Sequence, residues 1–460
     1  MTFGCSAAVW GCIFATIVKR AVIGFNRRSF LAASAAAVAH PAIAVPAPTS
    51  FDVIVVGAGA AGIAAARRIA AAGRRLAVFE ASDRVGGRCF TDMHTFGVPY
   101  DRGAHWLYAQ EINPVAKLAL KTGANVYPAP PNQRLRVGLR DGRDAEMEDF
   151  FATLLRCKRA IRDAARGRSD MSAAQTLPRD LGEWRPAMEF VLGPFRCGKG
   201  LHEVSAMDFA KSEERENSIF CGEGIGTLLT KLAAGLPIQL STLVKRIDWG
   251  GRWVEVQTPK GDLRARAVII TVSTGVLGTG RIRFDPDLPR GHAEAIGKLG
   301  LGTYEHITLE FAGNPLGLVS DDLVFEKAST ERTAALLANL SGSRLCFVDV
   351  AGELGANLAQ DGEAAMVAFA LEWLAGLYGS QVKQAVKRTH ATRWNHEPWT
   401  LGAFSAASPA GQWARQTLSG PLRERLWFAG EAVHETLWGT VGGAWEAGER
   451  AAQAALRKVG

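Results

Sequence analysis

The sequence predicts an α/β fold: a Rossmann-like, doubly wound sheet with helices on both faces, interrupted by an inserted α+β domain of mixed sheet and helices. Three observations carry that expectation. Residues 51–88 read as strand, glycine-rich turn, helix, strand and acid in unbroken order. Residues 267–272 and 426–428 are further short apolar runs suited to a buried parallel sheet. Between these blocks, residues 109–215 and 291–393 lose the β-α-β alternation and carry Pro-rich joints, amphipathic helical stretches and isolated alternating strands.

Residues 51–56 form a β-branched apolar run and lead into Gly57-Ala58-Gly59-Ala60-Ala61-Gly62, a G-x-G-x-x-G. In that pattern Gly57 permits a tight turn and Gly59 lets backbone approach a pyrophosphate. Gly62 permits close helix packing, and Ala60 and Ala61 keep the approach clear. The Ala-rich residues 63–72 favour a helix whose N-terminus faces the same anion. Residues 76–79 are the second strand. Glu80 and Ala81 follow it, and Glu80, eighteen residues past Gly62, is placed to accept both hydroxyls of a ribose. This block alone does not choose between NAD and FAD.

At 460 residues the chain can hold two or three domains with sizeable cores. Charged residues at 21% and hydrophobic residues at 48% are ordinary for a soluble globular enzyme. The net charge is +8, of which Lys19, Arg20, Arg27 and Arg28 supply four before the first domain begins. The remaining excess is mild and gives no argument for a nucleic-acid partner. Arg156, Lys158, Arg159, Arg162, Arg166 and Arg168 fall on an amphipathic helical stretch and read as its solvated face. Seven Cys occur without C-x-x-C spacing, and neither H-E-x-x-H nor an Asp-rich calcium loop is present, so no metal site is expected.

Residues 1–44 read as an address. Asn26-Arg27-Arg28-Ser29-Phe30-Leu31 resembles a twin-arginine signal, and Ala42-Ile43-Ala44 gives a small-x-small cleavage pattern. The apolar residues 7–18 are too short for a bilayer span, which needs about 20 residues. Their place ahead of the arginines suggests a long n-region or an upstream start. A periplasmic protein with no stable membrane span is expected, exported folded with its cofactor in place.

Further along, the chain resembles a known family. Arg84-Val85-Gly86-Gly87-Arg88 resembles the extended dinucleotide motif of FAD-binding amine oxidases, with Arg88 offering donors to phosphate. Gly103-Ala104-His105-Trp106 resembles the family's GA-x-W loop along the flavin, and that placement makes His105 structural. Residues 268–277 (VIITVSTGVL) and 283–289 (RFDPDLP) match the family pattern. So do Trp394-Asn395-His396-Glu397-Pro398-Trp399, continuing to Ser405, and the closing Gly430-Glu431 and Gly439-Thr440-Val441. Residues 51–457 thus resemble the flavin-containing amine oxidases, a group that includes monoamine oxidases, polyamine oxidases and the lysine-specific histone demethylase.

The resemblance implies an FAD domain from residues 50–108, 216–290 and 394–458, with a substrate domain from 109–215 and 291–393. It places Trp394, Trp399, Gly430, Glu431, Gly439, Thr440 and Val441 on FAD beside the motif residues already named, and Val244 on the adenine through its backbone. It implies hydride transfer from the carbon beside an amine nitrogen to flavin N5, with O2 or a periplasmic carrier taking the electrons.

Departures from the family pattern carry as much information. Ala403 stands where monoamine oxidases bear a Cys bonded to FAD, so non-covalent binding is expected. Phe404 keeps one aromatic wall of the amine cage, and Thr440 replaces the Tyr of the other. Tyr108 stands where some polyamine oxidases place Glu or His, so an acidic clamp for a long cation is not visible. Trp399 has motif support as an aromatic near the site. His306 replaces the usual Lys; a neutral imidazole could hold the same water but without fixed charge, which predicts slow reaction with oxygen. An L-amino acid oxidase, needing an Arg fork, and a flavoprotein that has lost turnover are the alternatives.

Overall fold

The computed structural model describes residues 50–212 and 217–460, so the expected leader, residues 1–44, lies outside them. Two large sheets organise the described chain. The first has eight strands. Its parallel part runs Ile238–Gln239, Leu76–Phe79, Ser50–Val56, Gly261–Ile270 and Leu426–Phe428. The central strands are buried on both faces, which is why Val53, Ile54 and Val55 read as an unbroken apolar run. Helix Ala60–Ala71 packs against helix Val441–Val459, and Ile225–Ala233 lies beside the former.

Gly261–Ile270 does two jobs in one strand. Its first half pairs antiparallel with Val254–Thr258, and its last three residues pair parallel with Leu426–Phe428. The expected separate strand at 267–272 is therefore the far end of this longer one. Residues 240–247 alternate as a strand would, yet they do not form one; only Arg246–Asp248 pairs. The chain instead turns around the end of Leu76–Phe79, with Ser241 at φ +49° and the Thr242 N–H on the Glu80 carbonyl. That wrapping carries Val244 to the carboxyl end of the sheet. A short strand, Ile219–Cys221, pairs with Val126–Pro128 just ahead of Gly222.

The second sheet has seven strands in the order Val386–Ala391, Tyr304–Phe311, Leu345–Ala351, Ala335–Leu337, Leu323–Glu326, Gln133–Val137 and Arg140–Asp141. One face is covered by helix Glu363–Tyr378 through Ile307, Leu309, Val348 and Val350. Alternation along Tyr304–Phe311 sends Tyr304 and His306 the other way. Helix Asp144–Ala164 buries Phe150, Cys157 and Ile161 at helical spacing, leaving its basic residues outside that stripe.

Candidate active site at the carboxyl ends of the parallel strands

Four parallel strands end together: Val56 gives way to Gly57, Phe79 to Glu80, Ile270 to Thr271, and Phe428 leads to Glu431. Ligands of open α/β sheets bind outside such ends. Here they form the floor of a cleft of about 1800 Å³, counting the space open to solvent.

Gly57 sits at φ +104°, and a Cβ there would stand 2.5 Å from Thr271 Oγ1. Helix Ala60–Ala71 starts at Gly59 with no side-chain cap, and its N-terminal end opens on the cleft. A second helix start arrives from the C-terminal end of the chain. Thr440 caps Val441–Val459, its hydroxyl accepting from the Gly443 N–H at 3.0 Å and donating to the Leu437 carbonyl at 2.7 Å. The Val441 and Gly442 N–H groups keep no protein acceptor among the described residues. Two helix N-termini converging on one cleft suit an anionic, dinucleotide-sized guest.

The Glu80 carboxylate accepts from the Ala58 N–H at 2.7 Å and from the Ser82 N–H and hydroxyl, both at 2.9 Å. These contacts fix its direction and leave about one of its four lone-pair sites for a ribose hydroxyl. Val244 is buried at the cleft wall, and its backbone N–H and carbonyl make no hydrogen bond among the described residues. A buried, unpaired peptide group asks for a partner. These features fit the polar edges of FAD.

Of the residues singled out from sequence, Gly62 and Gly430 do not line the cleft. Gly62 is a packing residue: a Cβ would meet the Gly57 carbonyl oxygen at 2.0 Å. Gly430 is a turn, at φ +142°. Gly57, Gly59, Ala60, Ala61, Glu80, Ala81, Gly86, Gly87 and Arg88 line it from the first block, and Gly103, Ala104, His105, Trp106 and Tyr108 from the second loop. Val244, His306, Trp394, Trp399, Phe404, Glu431, Gly439, Thr440 and Val441 complete the set. Thr440 is a helix cap, so its hydroxyl is already spent. Arg88 turns Nη1 to the Ala403 carbonyl at 2.6 Å and to Glu431 at 2.9 Å, which commits part of its fork to the protein.

Glu431 is the hub of a buried network. Its carboxylate also takes the Ser405 hydroxyl at 2.7 Å and the Gly439 N–H at 3.0 Å. Burial opposes its charge, but Arg88, Ser405 and Arg415 together hold its carboxyl below the usual range. Arg415, 1% exposed, reaches Ser405 at 3.1 Å and grips Asp208 with two bonds of 2.7 and 2.8 Å. Sequence reading missed Arg415 and Asp208, which lie 207 positions apart with no local motif around either.

His306 is not the neutral imidazole that was expected. The antiparallel register sets it opposite Asp349, and Nδ1 lies 2.6 Å from that carboxylate. Nε2 lies 2.9 Å from the Gly103 carbonyl oxygen. Both partners are acceptors, so the ring satisfies both only as an imidazolium. Burial works against the charge, but Asp349, the Gly103 carbonyl and Glu305 outweigh it and raise the pKa above its ordinary value. With both nitrogens engaged, neither is left to hold a separate water. The ground for expecting slow reaction with oxygen falls with it.

Asp349 also accepts from the Tyr304 hydroxyl at 2.8 Å. Tyr304 was missed too, although its place two residues before His306 on an alternating strand was a usable signal. Its ring lies 5.9 Å from Phe404 and 6.0 Å from Phe195, forming an aromatic wall. Trp106 and Tyr108 stack at 5.6 Å on the neighbouring loop. Behind the wall, Glu305 is fully buried on the opposite face, accepts the Trp394 N–H and Thr392 hydroxyl, both at 2.7 Å, and so positions Trp394.

A pH dependence follows. Because the folded pKa of His306 is raised, its contribution to stability is complete below the ordinary value of 6.5 and is lost as pH climbs through the folded value. His292, His390 and His434 are lowered by burial, so their contribution is lost instead as pH falls below 6.5. Urea unfolding across pH should therefore show a decline on the alkaline side that Asp349→Asn removes.

Comparison with known proteins accords with this geometry. The family model described as flavin containing amine oxidoreductase matches residues 60–456. Lysine-specific histone demethylase 1B of Mus musculus is 29% identical over 435 residues, covering 87% of this chain and 52% of that protein. Probable polyamine oxidase 4 of Arabidopsis thaliana is 28% identical over 450 residues, covering 89% of this chain and 87% of that one. The chain thus spans about half the length of the demethylases it matches, at 52% and 53%. Among solved structures, putrescine oxidase with putrescine bound shares the fold at a TM-score of 0.76 and 19% identity, covering 89% of this chain and 99% of that one. Cyclohexylamine oxidase from Brevibacterium oxydans does so at 0.75 and 20%, covering 88% and 99%. On the cleft, its donors and this match, the chain belongs to the flavin-containing amine oxidoreductases.

Proposed function

We propose that this chain oxidises an amine with non-covalently held FAD. The observation that carries the reading is the convergence of two helix starts, the Glu80 carboxylate and an aromatic wall on one cleft. FAD, when bound, supplies a two-electron acceptor for the hydride on the carbon beside nitrogen, so that the amine leaves as an imine that water hydrolyses, with O2 or another acceptor closing the cycle. The protein's own part is positioning. The helix starts would hold the pyrophosphate, and the Val244 backbone would hold the adenine. Phe404 and Tyr304 orient the amine, and the Asp349–His306 pair fixes Tyr304 from behind.

Ala403 has no nucleophilic side chain, which supports non-covalent binding. The three FAD-domain stretches, 50–108, 216–290 and 394–458, supply the strands of the first sheet, and 109–215 with 291–393 supply the second. That supports reading the latter as the substrate domain. Export through the Arg27-Arg28 signal belongs to the same proposal; finding the protein with holo-enzyme only in the cytoplasmic fraction would remove it. Among the described residues no helix is long and apolar enough to cross a membrane.

The reading is tested by mixing purified protein anaerobically with a panel of amines and amino acids and following the visible flavin band. Bleaching by amines is expected. Bleaching by amino acids alone would make it an amino acid oxidase, and bleaching by neither would leave a binding or electron-transfer module.

A further inference from the structure

We propose that Glu305 and His306, consecutive residues of the second sheet, form a latch that fixes the loop 102–106 along the cleft, and that His306 is a positioning residue acting through its hydrogen bond to Gly103 rather than through its charge. This rests on the flavin reading and deepens it.

Side chains alternate along Tyr304–Phe311, so Glu305 and His306 leave opposite faces of the sheet. Both nevertheless end on adjacent peptide groups of one loop. His306 Nε2 lies 2.9 Å from the Gly103 carbonyl oxygen. Glu305 accepts the Trp394 N–H at 2.7 Å, and the Trp394 indole N–H donates to the Arg102 carbonyl at 2.9 Å. The N–H side of the loop is pinned as well. Arg102 donates to the Phe90 carbonyl at 2.7 Å and Ala104 to the Arg88 carbonyl at 3.0 Å. Gly103 has no slack between them: a Cβ there would stand 1.9 Å from the Arg88 carbonyl oxygen and 2.9 Å from the Trp394 ring. Gly103, Ala104 and Trp106 all line the cleft, so a shift of the loop moves its wall.

Asp349 decides how the latch closes. His306 Nδ1 lies 2.6 Å from this carboxylate, which can only accept. The ring therefore spends one N–H on Asp349 and reaches Gly103 only by carrying a second. Asp349→Asn changes that without changing shape. Its NH2 group would donate to Nδ1 while its oxygen kept the Tyr304 hydroxyl, leaving a neutral ring whose single proton sits on Nε2, toward Gly103. One substitution thus separates the bond from the charge. The other ionisable groups around the ring are Glu305 on the far face, Tyr304 beside it, and His105, which packs on Phe347 as His306 does. Asp349→Asn leaves all three in place.

The test reads amide hydrogen exchange of the loop in the apoprotein, the Kd for FAD, and nitrogen-15 histidine spectra. His306→Phe combined with Asp349→Leu keeps a ring against Phe347 and removes the donor without stranding a carboxylate. In that variant, exchange of the Arg102 and Ala104 amides and the Kd for FAD should each rise about tenfold, the effect of one hydrogen bond to a charged group. Asp349→Asn should leave both within about threefold of the parent. At about pH 8, where an ordinary histidine is neutral, the parent should show both His306 nitrogens protonated and Asp349→Asn only one. Parent-like exchange and affinity in the double variant would overturn the inference. So would an Asp349→Asn protein as loosened as the double variant, or a neutral His306 in the parent at that pH. A parent that binds no FAD would remove the flavin reading, while exchange in the apoprotein would still decide whether the latch holds the loop.

Discussion

Gly57→Val is expected to yield a folded protein that purifies with less than about a tenth of the FAD of the parent. At φ +104° a β-branched residue is an outlier, and strain of that kind costs about 1–3 kcal/mol. Since about 1.4 kcal/mol is a tenfold change in affinity, a free protein that relaxes this strain binds about five- to 150-fold more weakly. The clash adds to it: the new Cβ stands 2.5 Å from Thr271 Oγ1, on the strand that must stay paired to Ser50–Val56. Moving Thr271 away opens the sheet end, and keeping it pushes the glycine turn into the space the pyrophosphate needs. The absorbance ratio of flavin to protein after purification, with a melting curve to show that the fold persists, reads the result. Parent-like FAD content would mean that the turn does not touch the cofactor.

Arg415→Met is expected to cost about 3–5 kcal/mol of stability, the range for removing one partner of a buried ion pair. The guanidinium is 1% exposed, holds Asp208 in two bonds and caps the face of Trp438 at 4.8 Å. Met restores much of the volume but leaves the Asp208 carboxylate unpaired and 1% exposed. Among the described residues, the Ala407 N–H at 3.3 Å would be the donor left to it. The loss also reaches the cleft, because Arg415 helps to hold Ser405 and Glu431, and Glu431 holds Arg88. FAD content should therefore fall together with the urea midpoint. The double variant Arg415→Met with Asp208→Leu should recover part of the stability, since it removes the stranded charge. A single variant within 1 kcal/mol of the parent would show that the pair contributes little.

The local elements around the cleft could be read from the chain because their causes are local. A β-branched run, a glycine at a positive-φ turn and an Ala-rich helix each leave a short-range signature, so Ser50–Val56, Ala60–Ala71 and Leu76–Phe79 appear where the sequence places them. His306 shows where such reading stops. Its residue type and position were evident, but its protonation depends on Asp349, 43 positions away and brought opposite by sheet register. No pattern within Tyr304–Phe311 announces that partner. Arg415 and Asp208 are the same case at longer range. Residues 240–245 failed for a different reason: their alternation suits a strand, yet the hydrogen bond from Thr242 to Glu80 and the positive φ of Ser241 bend them around the sheet end. Thr440 was read as replacing the Tyr of the second wall; in the structure its hydroxyl closes a helix start.

One measurement bears most directly on the whole account: the stoichiometry and release of the cofactor in purified protein. The account predicts one FAD per chain, visible as a yellow protein and freed intact into the supernatant by acid. Colourless protein that takes up no FAD on incubation, or flavin that stays with the acid precipitate as a covalent adduct, would contradict it.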